Sequence, residues 1–206
     1  GRNPGGSKLD PKILPQRVNV EGLTEAQLTS AKLCRAAKLY YTDGFRAAQE
    51  YLDGEFGEGF YEIQPELSGK YHITVKTSEG FEIASRGIES GNSMDAIDLY
   101  NLTNNPRNAE SYKEIMDTYE SLEGNVDTLH GYSRGGKVML HIGSETGTDV
   151  IAHSPAIGSN ELALSGENSV EIVRPDSDFA SSLLGLGHPE NWNVHVYQSE
   201  PGTGSI

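Results

Sequence analysis

The chain has 206 residues with 30 acidic and 16 basic side chains, and its formal net charge is −14. This length suits one α/β domain with a sizeable core, and the acidic balance argues against binding a phosphate backbone, so we expect no nucleic-acid partner. No apolar run approaches the roughly 18 residues of a membrane-spanning helix, which predicts a soluble protein without a transmembrane segment. The start at Gly1 without a signal-peptide core indicates a processed product or a fragment and leaves the compartment unknown.

Residues 1–22 contain three prolines and four glycines and show little apolar periodicity. This composition predicts an extended or disordered arm, which we expect to offer a contact to a protein partner. Residues 23–206 are expected to form one folded domain.

A capping box predicts where the first helix begins. Thr24 and Gln27 have the required spacing, and the apolar residues that follow predict a helix to about residue 41 that covers one face of a sheet. A second, short helix is predicted over 44–52. Two runs rich in β-branched and aromatic residues then flank a turn and predict a pair of strands, 70–76 and 81–85.

Helices and strands alternate in the rest of the chain. Apolar residues at spacings of three and four predict an amphipathic helix over 111–122, and short β-branched runs predict four further strands, 126–129, 149–152, 170–173 and 192–197. This order indicates an α/β fold, a mostly parallel sheet with helices on both faces. Such sheets bind their ligands at the carboxyl ends of the strands.

The most informative motif follows the strand that begins at residue 126. It is a G-x-S-x-G pattern centred on Ser133, with glycines at 131, 135 and 136. In a nucleophile elbow a strand turns sharply into a helix, glycines relieve the crowding, and the serine hydroxyl stands exposed to an acyl group. The motif therefore predicts Ser133 as a nucleophile.

A serine nucleophile needs a base and an acid that orients the base, and in α/β-hydrolases both follow the serine in the chain. Asp176 and Asp178 come directly after the strand 170–173 and are the candidate acids. His188 lies in a predicted loop and is the preferred base, while His195 lies inside the predicted last strand. No histidine pair has the spacing of metal ligands, so we expect neither a metal nor another cofactor.

Further motifs extend the match beyond the elbow. The strand that ends in Arg86 and Gly87, the Asp-rich segment 95–99, the elbow and the segment 178–184 occur in an order that resembles the class 3 lipase family. The resemblance covers about residues 45–200, and it is nearest to the small divergent domains in phage and large-virus proteins. It implies an α/β-hydrolase fold and hydrolysis of an acyl ester or lipid.

Carried over residue by residue, the resemblance makes Ser133 the nucleophile and Asp178 the acid. It implies an oxyanion hole formed by the backbone N–H of Arg134 and the turn of Gly87 and Ile88. A helix N-terminus is a suitable place for such a donor. We also expect the guanidinium of Arg134 to add positive charge there.

The sequence departs from the family pattern in ways that leave activity open. Tyr132, Arg134 and Ile88 stand where the family has His, Leu and Thr, and no histidine follows the predicted last strand. The base is therefore His188, or His195, or a residue beyond 206, or it has been lost. The sequence supports two hypotheses: a serine ester hydrolase that acts on small or water-soluble esters, and a weak or inactive hydrolase-fold module, for example a virion or assembly component.

Overall fold

The computed structural model describes residues 22–178, 184–185 and 187–198. The predicted N-terminal arm therefore lies outside the described residues except for Gly22. The first helix, α1 (Glu25–Asp43), begins at the predicted capping box, in which Thr24 Oγ1 accepts a hydrogen bond from Gln27 N at 3.1 Å and Gln27 Oε1 accepts one from Thr24 N at 3.0 Å. The second helix, α2 (Phe45–Phe56), starts after a turn at Gly44.

The strands within the described residues form one seven-stranded sheet in chain order. The first three strands pair antiparallel, and every pair from the third strand to the seventh is parallel. The mostly parallel sheet predicted from the sequence is therefore confirmed, and with helices on both faces it is α/β-hydrolase-like. The strands are β1 (Glu62–Ile63), β2 (His72–Thr77), β3 (Gly80–Ser85), β4 (Val126–Tyr132), β5 (Asp149–His153), β6 (Val170–Pro175) and β7 (Trp192–Tyr197).

Four more α-helices lie between the strands of the described chain. They are α3 (Ser93–Asn104), α4 (Glu110–Ser121), α5 (Arg134–Thr146) and the short α6 (Ser159–Leu162). The sequence pattern predicted α4 to within a residue at each end, but it did not predict α3. None of the described helices combines the length and the apolar character needed to cross a membrane.

The sheet separates two apolar layers. Helices α1 and α2 pack on one face, where Leu33, Leu52 and Ile73 are buried together. Helices α4 and α5 pack on the other face, where Ile115, Leu129 and many others form the larger core. Because β4 to β7 are parallel, their carboxyl ends meet at one edge, and this edge carries the candidate site.

Candidate functional site

Ser133 occupies a strained turn between β4 and α5. Its backbone has φ 53° and ψ −113°, a conformation that is unfavourable for a side chain larger than glycine. The surrounding chain holds the turn: Ser133 N donates to His153 O at 2.9 Å, and Ser133 O accepts from Ala156 N at 3.2 Å. The side chain is half-buried. Strain that is maintained by neighbouring hydrogen bonds is the geometry of a nucleophile elbow.

The glycines of the motif allow β3, β4 and α5 to approach one another closely. A Cβ atom on Gly131 would lie inside contact distance of the Gly135 carbonyl, and one on Gly135 would lie 2.5 Å from Ser85 O. Both obstacles are backbone atoms, which cannot rotate away as a flexible side chain can. The G-x-S-x-G spacing is therefore a steric requirement of this turn.

The Gly87–Ile88 turn lies directly against Ser133. A Cβ on Gly87 would stand 2.8 Å from the Tyr132 ring and 3.4 Å from Ser133 Cβ. The N–H of Ile88 donates no hydrogen bond to any residue that the structure describes. Arg134 is the first residue of α5, and the first N–H groups of an α-helix have no intrahelical acceptor. The structure thus brings the two expected oxyanion donors to the residue expected as nucleophile.

The side chain of Arg134 turns inward and is fully buried. Its Nη1 donates to Asp95 Oδ1 at 2.6 Å and its Nη2 donates to Gly87 O at 3.1 Å. The expectation that this guanidinium adds positive charge to the oxyanion hole was therefore wrong, because the charge is paired with the Asp95 carboxylate.

Asp95 stays ionised in its buried position. Burial raises the pKa of this carboxyl, but hydrogen bonds from Arg86 and Arg134 more than offset that effect, and the net pKa lies below its ordinary value. A carboxylate in α3 thereby ties the turn after β3 to the first residue of α5.

Asp178 lies at the same edge of the sheet as Ser133. It follows β6, its backbone N donates to Pro175 O at 3.1 Å, and it is buried, whereas Asp176 is exposed. Burial raises the pKa of the Tyr132 and Tyr197 phenols, and the nearby Asp178 carboxylate raises both further. Asp178 therefore lies between the ends of β4 and β7, the better placed of the two candidate acids.

The structure does not bring His188 to this edge. The imidazole is exposed, its Nδ1 lies 3.0 Å from Pro189 O, and its ring stacks on Trp192 with centroids 6.4 Å apart. Trp192 is the first residue of β7, so His188 lies at the amino edge of the parallel strands. A strand of this length spans about 17 Å, and that distance separates the two edges.

The alternative candidate base, His195, is also remote from Ser133. It pairs in register with Val173, which pairs with His153, which pairs with Tyr132. Three strand spacings of about 4.8 Å place it about 14 Å from Tyr132. Its Nε2 contacts the carbonyl of Gly22 instead.

All six histidines lie among the described residues, and none hydrogen-bonds to Ser133. The described part of the chain therefore brings Ser133, expected as the nucleophile, together with the two N–H groups expected as oxyanion donors. A buried carboxylate lies at the same edge, and no imidazole of the described residues lies on the serine hydroxyl. The described part of the chain also contains no group of three or more residues suited to hold a metal ion.

A second serine with histidine partners, Ser30, lies on the buried face of α1 and was missed in the sequence analysis. Ser30 Oγ lies 2.6 Å from His130 Nδ1 and 2.8 Å from His153 Nε2, and His130 Nε2 lies 2.7 Å from Glu82 Oε1. Burial, and then His130, lower the pKa of His153 to about 3, so this imidazole is neutral. One signal was available: Ser30 falls in the buried helical stripe that includes Leu33 and Ala37.

The chain was compared with protein families, with curated proteins and with solved structures, and a match was found among the solved structures. No family model matches the chain, and no curated protein matches it. Among solved structures the chain is similar to a fungal lipase–inhibitor complex described as a model for interfacial activation, with 14% sequence identity and a TM-score of 0.45 over 79% of this chain and 73% of that one. The fold assignment given above rests on the strand order and the elbow of this chain itself.

Proposed function

We propose that this protein is a serine ester hydrolase that acts through an acyl-enzyme at Ser133. The observation that carries the proposal is the strained backbone of Ser133 at a strand-to-helix turn, beside two backbone N–H donors. In this reaction Ser133 Oγ attacks the acyl carbonyl and loses its proton, and the tetrahedral oxyanion accepts hydrogen bonds from the N–H groups of Ile88 and Arg134. The alcohol then leaves with a proton, and water releases the acid from the acyl-enzyme.

The missing imidazole sets the expected substrate. Because no imidazole among the described residues hydrogen-bonds to Ser133, we propose that solvent takes its proton, and this favours esters whose leaving alcohol is weakly basic. An oxyanion hole and binding alone leave roughly 10³–10⁴-fold catalysis over water in serine hydrolases that lack a member of the triad. We therefore propose small, activated acyl esters as substrates, with Asp178 as the acid that would orient a base.

A second function is favoured by the histidines themselves. Each of the six is hydrogen-bonded elsewhere: to Glu114, Glu82, Glu161 or Ser30, or to the carbonyls of Pro189 and Gly22. Because these imidazoles are hydrogen-bonded to other groups, we propose as the alternative a non-catalytic interaction module with a hydrolase fold, such as an assembly or virion component.

The two proposals separate in one experiment. The chain is incubated with a fluorophosphonate probe and with p-nitrophenyl esters of increasing acyl length, beside Ser133→Ala and the matched surface variant Ser121→Ala. The hydrolase proposal expects labelling and turnover that Ser133→Ala removes and Ser121→Ala leaves intact. Labelling that persists in Ser133→Ala would assign the reactivity to another residue and overturn the Ser133 proposal, and no labelling would favour the non-catalytic module.

Added imidazole sharpens the same experiment. If the hydroxyl lacks only a base, free imidazole raises the Ser133-dependent rate, and the rate measured with Ser133→Ala gives the background from imidazole itself. A Ser133-dependent rate that imidazole leaves unchanged would mean that a base is already present at the site.

A further inference from the structure

We propose that the side chain of Arg134 is a positioning residue that aims the N–H of Ile88 at the acyl group on Ser133. The inference rests on the proposed function and deepens it, because it assigns a role to a side chain that the class 3 lipase pattern does not contain. The sequence offered only the backbone N–H of this residue as a donor.

The Gly87 carbonyl is fixed by two buried guanidinium groups. Arg134 Nη2 donates to Gly87 O at 3.1 Å, and Arg86 Nη1 donates to the same oxygen at 3.0 Å. A trans peptide unit is planar and its C=O and N–H point in opposite directions. Two donors on one side of the Gly87–Ile88 peptide therefore direct the Ile88 N–H to the other side.

The next residue fixes the other end of the turn. Glu89 N donates to Asp95 Oδ2 at 2.9 Å, and Asp95 accepts from both Arg86 and Arg134. The turn is thus held at the carbonyl before Ile88 and at the N–H after it. Between these two points the Ile88 N–H is left without an acceptor in the described residues, as a donor reserved for a ligand would be.

The network that holds Arg134 is buried and balanced in charge. Arg86, Arg134, Asp95 and Asp98 are each no more than 2% exposed, so two cations face two anions away from solvent. The Arg134 guanidinium also lies 4.9 Å from the centre of the Tyr71 ring. A paired charge of this kind has a fixed position, which a positioning residue requires.

The two hydrogen bonds of the Arg134 side chain depend on the forked shape of its guanidinium group. One terminal nitrogen of Arg134 reaches Asp95 while the other reaches Gly87 O. Lysine has one nitrogen on a flexible stem and cannot reproduce both directions, and methionine reproduces neither. Arg134→Lys therefore keeps the charge while it loosens the turn, and Arg134→Met removes both.

The test measures the turn and the reaction separately. Backbone ¹⁵N relaxation on isoleucine-labelled protein gives the order parameter of the Ile88 amide, and the fluorophosphonate labelling rate reports on Ser133. We expect the Ile88 order parameter to fall from about 0.85 to below about 0.6 in Arg134→Met, with an intermediate value in Arg134→Lys. The labelling rate should fall about 100-fold in Arg134→Met, as when one oxyanion donor is lost.

Two controls isolate the positioning effect. Arg107→Met removes an exposed arginine that pairs with Glu145, and Ile115→Val loosens the core behind α4 without touching the turn. Neither should change the Ile88 order parameter or the labelling rate. A lower rate in Ile115→Val, matching Arg134→Lys, would assign the effect to general destabilisation and overturn the inference.

The outcomes also separate this inference from the proposed function. If wild-type Ser133 is never labelled, the hydrolase proposal fails, and the Ile88 order parameter still decides whether Arg134 holds the turn. If Arg134→Met does not fold, Arg134→Lys decides both measurements. Wild-type order parameters and labelling rates in a folded Arg134→Lys would overturn the inference.

Discussion

Two serines in this fold have opposite surroundings. Ser30 lies fully buried in α1, and its hydroxyl is within hydrogen-bonding distance of two imidazoles. Ser133 lies at the carboxyl edge of the sheet with φ 53°, and its hydroxyl has no imidazole partner. The chain thus places the hydroxyl–imidazole–carboxylate series in one region and the strained turn with free N–H donors in another.

The difference separates two features that serine hydrolases combine: a serine–histidine–carboxylate series and an accessible hydroxyl beside backbone N–H donors. Glu82, His130 and Ser30 lie in line at 2.7 and 2.6 Å, and a cleft of about 380 Å³ reaches Glu82 and His130. Ser30 itself is closed off, and the backbone N–H groups around it are used within α1. Ser30 therefore anchors a helix, while Ser133 is half-buried and lies beside the two N–H groups that we propose as oxyanion donors.

The largest effect is expected from a substitution that disrupts the turn at Ser133 and does not alter Ser30. In Gly131→Ala the new methyl group meets the backbone of Gly135 and Gly136, so α5 must move away from β4. We expect a loss of about 3 kcal/mol of unfolding free energy, measured by urea denaturation, and no fluorophosphonate labelling in the folded fraction.

The matched control is Gly54→Ala, in the last turn of α2. A Cβ at this position meets nothing within 4 Å, so the substitution should stabilise the helix by roughly 0.5–1 kcal/mol. Normal labelling of a stable Gly131→Ala protein would show that the close approach of β4 and α5 is not needed for the reactivity of Ser133.

The second prediction concerns a variant that lacks the hydroxyl of Ser30. Ser30→Ala leaves His130 Nδ1 and His153 Nε2 without their common partner in a buried position, and we expect a loss of about 1–3 kcal/mol of unfolding free energy. The labelling of Ser133 should be unchanged, while Ser121→Ala on the surface should change neither quantity. A fall in Ser133 labelling in Ser30→Ala would mean that the two regions are coupled.

Much of the fold was predictable because it follows from periodicity and local signals. The capping box at Thr24, the hairpin of β2 and β3, and the limits of β7 follow the residues that signal them. Helix α3 was missed because its pattern is inverted. It buries Asp95 and Asp98 beside Leu102, while Met94, Ile97 and Tyr100 are about half exposed or more. Most of its large apolar residues therefore do not mark its buried face.

Features of the candidate site were predictable only where a steric constraint fixes the residue types in a short stretch of sequence. The glycines around Ser133 and the turn at Gly87 are steric needs that the sequence displays. The inward fork of Arg134 depends on Asp95, and the remoteness of His188 depends on which edge of the sheet its loop joins. Such long-range contacts leave no periodic signal in the chain.

A pH titration should sharpen the description of the region beneath α1. Burial, and then His130, lower the pKa of His153 to about 3 in the fold, against an ordinary value of 6.5. The unfolded chain therefore binds more protons between these values, and the unfolding free energy falls as the pH falls from 6.5 toward 3. The slope approaches about 1.4 kcal/mol per pH unit for this one group.

The control for the titration is His153→Gln, whose amide nitrogen takes the place of Nε2 and does not titrate. The difference in unfolding free energy between wild type and this variant isolates the contribution of His153. As the pH falls from 6.5 to 5 the difference should approach the predicted slope, because the other titratable groups are present in both proteins and their contributions cancel. A constant difference across this interval would contradict a neutral, buried His153.

The smallest expected effect concerns the histidine that the sequence favoured as the base. His188 is exposed and stacks on Trp192 at the amino edge, so His188→Ala should change the unfolding free energy by no more than about 0.5 kcal/mol. The rate of Ser133 labelling and its response to added imidazole should both equal those of the wild type. If the labelling rate fell and imidazole restored it, His188 would reach the carboxyl edge in solution. Ser133 would then have an imidazole partner, as Ser30 does. The two serines would differ only in their solvent access and in the backbone N–H donors beside them.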